Sequence, residues 1–208
     1  MLLSVKPSRP FLLSRRSFIA GASGLALAGG LGNSATAQIA ENDLPDAAAA
    51  LTQVMPTLAP PLRFTDVQGR QLTLGDYRGH TLVVNLWATW CGPCIAEIPS
   101  FAALAPQLKE SGVLILPISI DLTGAQVVRP FFARHGISNL PILLNQDGSD
   151  LQVLDSNGIP VSVVINPLGQ LVAHLDGAAN WNTSDTIAFL RGLGATTPTS
   201  GQGGRVPA

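Results

Sequence analysis

The sequence predicts an α/β sandwich, a mixed sheet with helices on its faces. Three stretches carry this reading. "LVVNLW" (Leu82 to Trp87) and "GVLILPISI" (Gly112 to Ile120) are near-continuous apolar runs, the pattern of central strands buried on both sides. Between them, Ile95, Ile98, Phe101, Leu104 and Leu108 recur at spacings of three or four, one face of a helix. Later, "PVSVVIN" (Pro160 to Asn166), the turn "PLGQ" and "LVAHL" (Leu171 to Leu175) read as a hairpin. The strand–helix–strand unit makes parallel neighbours and the hairpin adds antiparallel ones.

The other elements follow in chain order. Gln38 to Pro61 is rich in Ala and Pro; Asp43 to Met55 predicts a short helix, broken by "PTLAPP". "TDVQGRQLTL" (Thr65 to Leu74) predicts a hairpin turning near Gln68-Gly69. Val127 to His135 predicts a helix that ends at Gly136. Thr183 to Leu193 predicts a closing helix, capped by Thr183 or Asp185, with Ile187, Leu190 and Leu193 on one side. The last residues, "TTPTSGQGGRVPA", read as a solvated tail. The expected order is β-β-α-β-α-β-β-α.

A chain of 208 residues, 46% hydrophobic and 12% charged, is sized for one domain with a full core and is too apolar for a disordered chain. The net charge of −1 and the lack of a basic patch point away from nucleic acid. At the N-terminus, Lys6, Arg9, Arg15 and Arg16 precede a weakly apolar, Gly- and Ala-rich stretch (Phe18 to Gly32), then "ATA" (Ala35 to Ala37). This is the three-part layout of an export signal, and "SRRSFI" resembles a twin-arginine signal. The apolar stretch is shorter than the roughly 20 residues of a spanning helix. The expected division is an export signal over 1–37, cleaved after Ala37 or retained as an anchor. An Ala/Pro-rich segment over 38–60, a domain over 61–194 and a tail over 195–208 follow.

The chain's two cysteines, Cys91 and Cys94, lie three residues apart after a buried strand and at the start of a helix. A structural zinc site needs four ligands, and the chain offers no second pair, only the scattered His80, His135 and His174. A static disulfide here closes so short a ring that it constrains little of the unfolded chain. Redox chemistry fits best. Cys91 at the helix N-terminus faces free N–H groups and the positive end of the dipole, which favours a thiolate nucleophile. Cys94, about one turn on, is placed to resolve a mixed disulfide. Gly92 leaves room for a partner's backbone, and Pro93 fits the first helical turn, where no N–H is needed.

"VVNLWATWCGPCIAEIP" carries a W-A-T-W-C-x-P-C-x-x-E-x-P signature, and "GIPVSVVINPLGQLV" a Gly-x-Pro strand followed by a hairpin. With "LTLGDYRGHTLVVNLW", these resemble the TlpA/ResA-type thiol:disulfide oxidoreductases of the thioredoxin superfamily, over roughly Pro61 to Leu193. The resemblance implies a thioredoxin-like three-layer sandwich, a mixed central sheet flanked by helices, with an N-terminal β-hairpin extension. It implies catalytic roles for Cys91, Cys94 and Glu97, the last tuning the pair and relaying protons. It implies a cis peptide before Pro160, with the Ile159 backbone binding a partner's extended chain. Trp90, Gly92 and Pro93 complete that partner surface. Trp87 and Trp181 are expected in the core, and Pro99 to kink the helix by removing one bond. Asn85 stands where classical thioredoxins place a buried aspartate; an amide cannot be that base, so proton transfer moves toward Glu97 or water.

The Gly-Pro dipeptide between the cysteines matches reducing thioredoxins. The resemblance implies a periplasmic disulfide reductase re-reduced by a membrane donor of the DsbD/CcdA type. Its substrates would lie in cytochrome c maturation or cytochrome oxidase copper-site assembly. No cofactor is expected, and membrane contact only if the N-terminal segment is retained. The competing expectations are an oxidant that inserts disulfides and a non-catalytic binding or copper-chaperone partner.

Overall fold

The computed structural model describes residues 43–194. The export-signal and tail assignments lie outside these residues. One sheet organises the fold, in the strand order β1-β8-β7-β4-β5-β6-β2-β3. Its strands are β1 (Thr52–Leu58), β2 (Arg63–Thr65), β3 (Gln71–Thr73), β4 (Thr81–Trp87), β5 (Val113–Ser119), β6 (Leu143–Leu144), β7 (Val161–Ile165) and β8 (Gln170–Asp176). The helices are α1 (Ala47–Ala50), α2 (Gly92–Leu108), α3 (Ala125–Arg134), α4 (Ser149–Val153) and α5 (Ser184–Gly194). As the sequence predicts, β4, α2 and β5 form a crossover with parallel strands, and β7 and β8 add antiparallel neighbours.

The two faces of the sheet follow from the strand period of two. Val83 and Trp87 of β4 point toward α2, α3 and α5, where they meet Phe101, Leu104, Phe131, Trp181 and Leu190. Leu82, Val84 and Leu86 point the other way, onto Phe64, Leu72, Tyr77 and Leu143. Trp87 is wholly buried, with its ring centroid 5.1 Å from Phe131 and 5.7 Å from Phe132. Such pairs add about 0.5–1.5 kcal/mol each beyond their area burial. Asn85 and Ser162 occupy the α2-facing positions of β4 and β7 and sit opposite each other in the register. Two buried polar residues thus lie side by side on the sheet beneath α2.

Two local expectations change. The helix predicted over Asp43 to Met55 is a single turn, Ala47–Ala50, followed by a strand that pairs with β8. Asp46 caps that turn by accepting the Ala48 N–H at 2.8 Å, and its carboxylate also takes the Thr186 hydroxyl. The β-branched Thr52, Val54 and Thr57 suit the strand, and Pro56 is tolerated because β1 is an edge strand with a register shift between Gln53 and Thr57. The sheet therefore begins at Thr52, ahead of Pro61. The sequence reading also missed β6 and α4, two and five residues long, too short for a periodic signal to emerge. The expected hairpin is β2–β3, with Gly69 in the left-handed conformation its turn needs (φ 81°). Thr183 caps α5, its hydroxyl accepting the Thr186 N–H. The helix α2 runs on through Pro99 and Pro106 for 17 residues.

Candidate active site

The β4–α2 junction builds the cysteine site. Cys91 is the N-cap residue of α2, with extended backbone (φ −88°, ψ 106°), and its sulfur accepts the Cys94 N–H at 3.2 Å. Capping thus points the Cys91 sulfur at the free N–H groups of the first turn. The two cysteines form a disulfide with Cα atoms 5.3 Å apart. Their surroundings are unequal. Cys94 is fully enclosed, whereas Cys91 keeps 6% exposure at a rim where Trp90 is 67% exposed. Gly92 and Pro93 are also exposed, and a Cβ at Gly92 would meet nothing within 4 Å. Of the two, Cys91 is the cysteine nearer the surface.

The rim is anchored from below. Asp121, on the loop after β5, is almost fully buried and accepts the Thr89 N–H at 3.0 Å, the Thr89 hydroxyl at 2.7 Å and the Ser119 hydroxyl at 2.8 Å. These bonds tie the turn carrying Trp90 to the neighbouring loop. Opposite Cys91, the Ile159–Pro160 peptide is cis, and the Ile159 carbonyl oxygen lies 3.7 Å from the Cys91 sulfur. In the disulfide neither sulfur carries a proton, so this is a contact; in the dithiol the Cys91 S–H can donate across it. A cavity of about 350 Å³ adjoins this segment, lined by Asp155, Ser156, Asn157, Ile159, Pro160 and Asp176 among others.

Glu97 lies one helical turn beyond Cys94 on the same face of α2, where positions three apart are neighbours. It is wholly buried rather than solvated. Its Oε1 accepts the Trp181 indole N–H at 2.7 Å and the Ala179 backbone N–H at 3.1 Å; its Oε2 accepts the Asn85 amide at 3.0 Å. Burial pushes its carboxyl up from 4.5 to about 7, while the Trp181, Ala179 and Asn85 bonds pull in the opposite direction. No charged side chain contributes. The second N–H of Asn85 goes to the Ser162 hydroxyl at 2.9 Å, and Asn85 Oδ1 has no partner among the described residues.

The constellation brings together Cys91, Cys94, Trp90, Gly92, Pro93, Ile159 and Pro160, with Glu97 on the inner face of the same helix. The histidines stand apart: His80 before β4, His135 after α3 and His174 within β8. Among the described residues, no group of three or more His, Cys, Asp or Glu is placed to hold a metal ion, and no helix is long and apolar enough to cross a membrane. Sequence reasoning assigned Trp181 to packing. It does pack, stacked 5.0 Å from Phe101, but it also donates to Glu97. It missed Asp121 and Ser162 as well. The only signals were a lone Ser in one apolar strand and an Asp just after another.

Comparison with known proteins gives the chemistry a family. The profile of the AhpC/TSA family matches residues 55–174. The thiol-disulfide oxidoreductases ResA of Bacillus subtilis and Geobacillus kaustophilus are each 31% identical over 119 residues. The match spans 57% of this chain and 65% and 67% of theirs. Two solved structures share the fold. A thiol:disulfide interchange protein of the thioredoxin family from Chlorobium tepidum aligns with a TM-score of 0.56 at 23% identity, covering 69% of this chain and 99% of that one. The thioredoxin domain of a thiol-disulfide oxidoreductase from Bacteroides vulgatus aligns with a TM-score of 0.56 at 20% identity, covering 68% and 98%. The chain belongs to the AhpC/TSA family of thioredoxin-fold proteins, as a thiol-disulfide oxidoreductase of the ResA/TlpA type.

Proposed function

We propose that the chain is a periplasmic protein-disulfide reductase in which Cys91 attacks and Cys94 resolves. The observation that carries this is the unequal burial of the pair: the helix-capping Cys91 meets solvent beside the exposed Trp90, and Cys94 is sealed behind it. In the reduced protein, the N-cap position stabilises a Cys91 thiolate. The thiolate attacks one sulfur of a substrate disulfide. An S–S bond forms to Cys91, and the other substrate sulfur leaves as a thiolate that takes a proton. Cys94 gives its proton to Glu97 and attacks the Cys91 sulfur. The intramolecular disulfide forms, and the second substrate sulfur leaves. The substrate gains two electrons and the cysteine pair loses them.

Trp90, Gly92, Pro93, Ile159 and Pro160 form the surface that takes the partner's chain beside the disulfide. The Gly92-Pro93 dipeptide favours the reducing direction, and the N-terminal signal-like segment favours the periplasm. There, a dithiol needs an electron supply. A membrane donor of the DsbD/CcdA type fits that need, with substrates in cytochrome c maturation or cytochrome oxidase copper-site assembly.

The test has two arms. Cys94→Ser expressed in its own host should accumulate partners disulfide-linked to Cys91, identified by mass spectrometry. Equilibration with glutathione should give a strongly negative potential; a potential near that of disulfide-inserting oxidants reverses the direction. Purified protein that exchanges no disulfide with insulin overturns the reading.

A further inference from the structure

We propose that Trp181, with Asn85, is a positioning residue that fixes where Glu97 takes up its proton. This rests on the reading above that Glu97 receives the Cys94 proton, and it deepens that step. A carboxylate has about four lone-pair sites, two per oxygen. Here three are occupied, all by N–H donors: the Trp181 indole and the Ala179 backbone on Oε1, and the Asn85 amide on Oε2. Trp181 and Ala179 saturate Oε1. One site remains, on Oε2, and that is where the proton lands.

The donors are themselves held in place. The Trp181 ring is wholly buried and stacks on Phe101, and its backbone N–H bonds the Ser100 hydroxyl, which in turn donates to the Glu97 carbonyl. Asn85 is fixed by its second bond to Ser162, at the expense of a buried, unpartnered Oδ1. That orphan acceptor is the informative feature. An amide leaving a buried oxygen unpaired bears a real penalty. Turned over, the Asn85 amide would present its oxygen to Glu97 and occupy the carboxylate only after protonation. The observed orientation offers donors alone, so these bonds favour the ionised carboxylate against the burial that favours the protonated one. The groups bonded to Glu97 are Asn85 of β4 and Ala179 and Trp181 of the β8–α5 segment, none of which titrates; Cys94, one turn away on α2, titrates only in the dithiol.

The same segment carries Gly177, whose N–H bonds the Pro160 carbonyl at 2.9 Å. Trp181 and Ala179, the two donors to Glu97 Oε1, are therefore on the segment that braces the partner-binding turn.

The experiment follows Glu97 and Trp181 by NMR in the disulfide-bonded protein, where neither cysteine titrates. In the unaltered chain, the Trp181 indole N–H resonance should move with the same midpoint as the Glu97 side-chain carboxyl, and Glu97→Gln should abolish that movement. Trp181→Phe keeps the ring and removes the donor. The Glu97 midpoint should then rise by about one pH unit, the scale of one lost bond to a charged group. The pH profile for resolution of a preformed mixed disulfide should move with it. An indole resonance indifferent to the Glu97 titration overturns the proposal without requiring any Trp181 variant to fold. So does an unmoved Glu97 midpoint in a folded Trp181→Phe protein. If Glu97→Gln leaves the resolution profile unchanged, the proton role of Glu97 itself fails, a separate result from the failure of Trp181 as its positioner.

Discussion

Replacing Glu97 by glutamine keeps the shape of a buried side chain and removes its ionisation. The native carboxyl titrates near 7 instead of 4.5 because burial outweighs three hydrogen bonds. Between these values the folded state binds a proton that the unfolded state has released, so stability falls as pH rises. The contribution is fully present below 4.5 and gone above about 7. At about 1.4 kcal/mol per unit, the gap corresponds to roughly 3 kcal/mol. Glutamine adds a term of its own. Its carbonyl can replace Oε1 and accept from Trp181 and Ala179, but its NH₂ then faces the Asn85 NH₂. That donor–donor conflict, or the turning over of Asn85 that relieves it, costs at most about 1–3 kcal/mol and does not depend on pH. The absolute effect at any one pH is therefore a difference of similar numbers, while the change with pH isolates the ionisation. Urea unfolding of disulfide-bonded Glu97→Gln and the parent at several pH values between 4 and 8 measures it. Relative to the parent, the variant should gain about 3 kcal/mol across that range. A constant difference would refute the claim that Glu97 carries a strongly raised carboxyl in the fold.

Further predictions separate the scaffold from the chemistry. Trp90→Ala removes an exposed side chain, so the unfolding free energy should hold within about 0.5 kcal/mol while insulin reduction slows; a loss of stability alongside the slower reduction would make Trp90 structural. Asp121→Ala leaves the Thr89 N–H and hydroxyl and the Ser119 hydroxyl without their shared acceptor, and should cost about 2–4 kcal/mol in a urea melt. Trp87→Ala should cost about 3–5 kcal/mol. Trp87→Phe should cost clearly less, because the Trp87 indole N–H has no partner among the described residues.

The central unit of the fold was legible because each of its elements makes a local statement. Apolar runs long enough to be buried on both faces became β4 and β5, and a sustained three-four spacing became the buried face of α2. The edge strand β1 gave no such signal. Its residues are mostly exposed, it contains a proline, and it is a strand because β8 offers an edge to pair with. The site divides the same way. Two cysteines with a Gly-Pro between them, after a strand and before a helix, state their own chemistry, since capping and the helix dipole act within one turn. The state of Glu97 was not written in its neighbours along the chain. Its spacing from Cys94 fixed the face it shares, but whether that face was dry or wet depended on β8–α5 residues more than 80 positions away. A proton's affinity is set by desolvation and by hydrogen-bond donors, and both are delivered here by segments that meet only in the folded chain. Local spacing along the chain was enough to put Cys91 and Cys94 at the start of one helix; the dry, donor-lined surroundings of Glu97 came only with the folding of distant segments onto it.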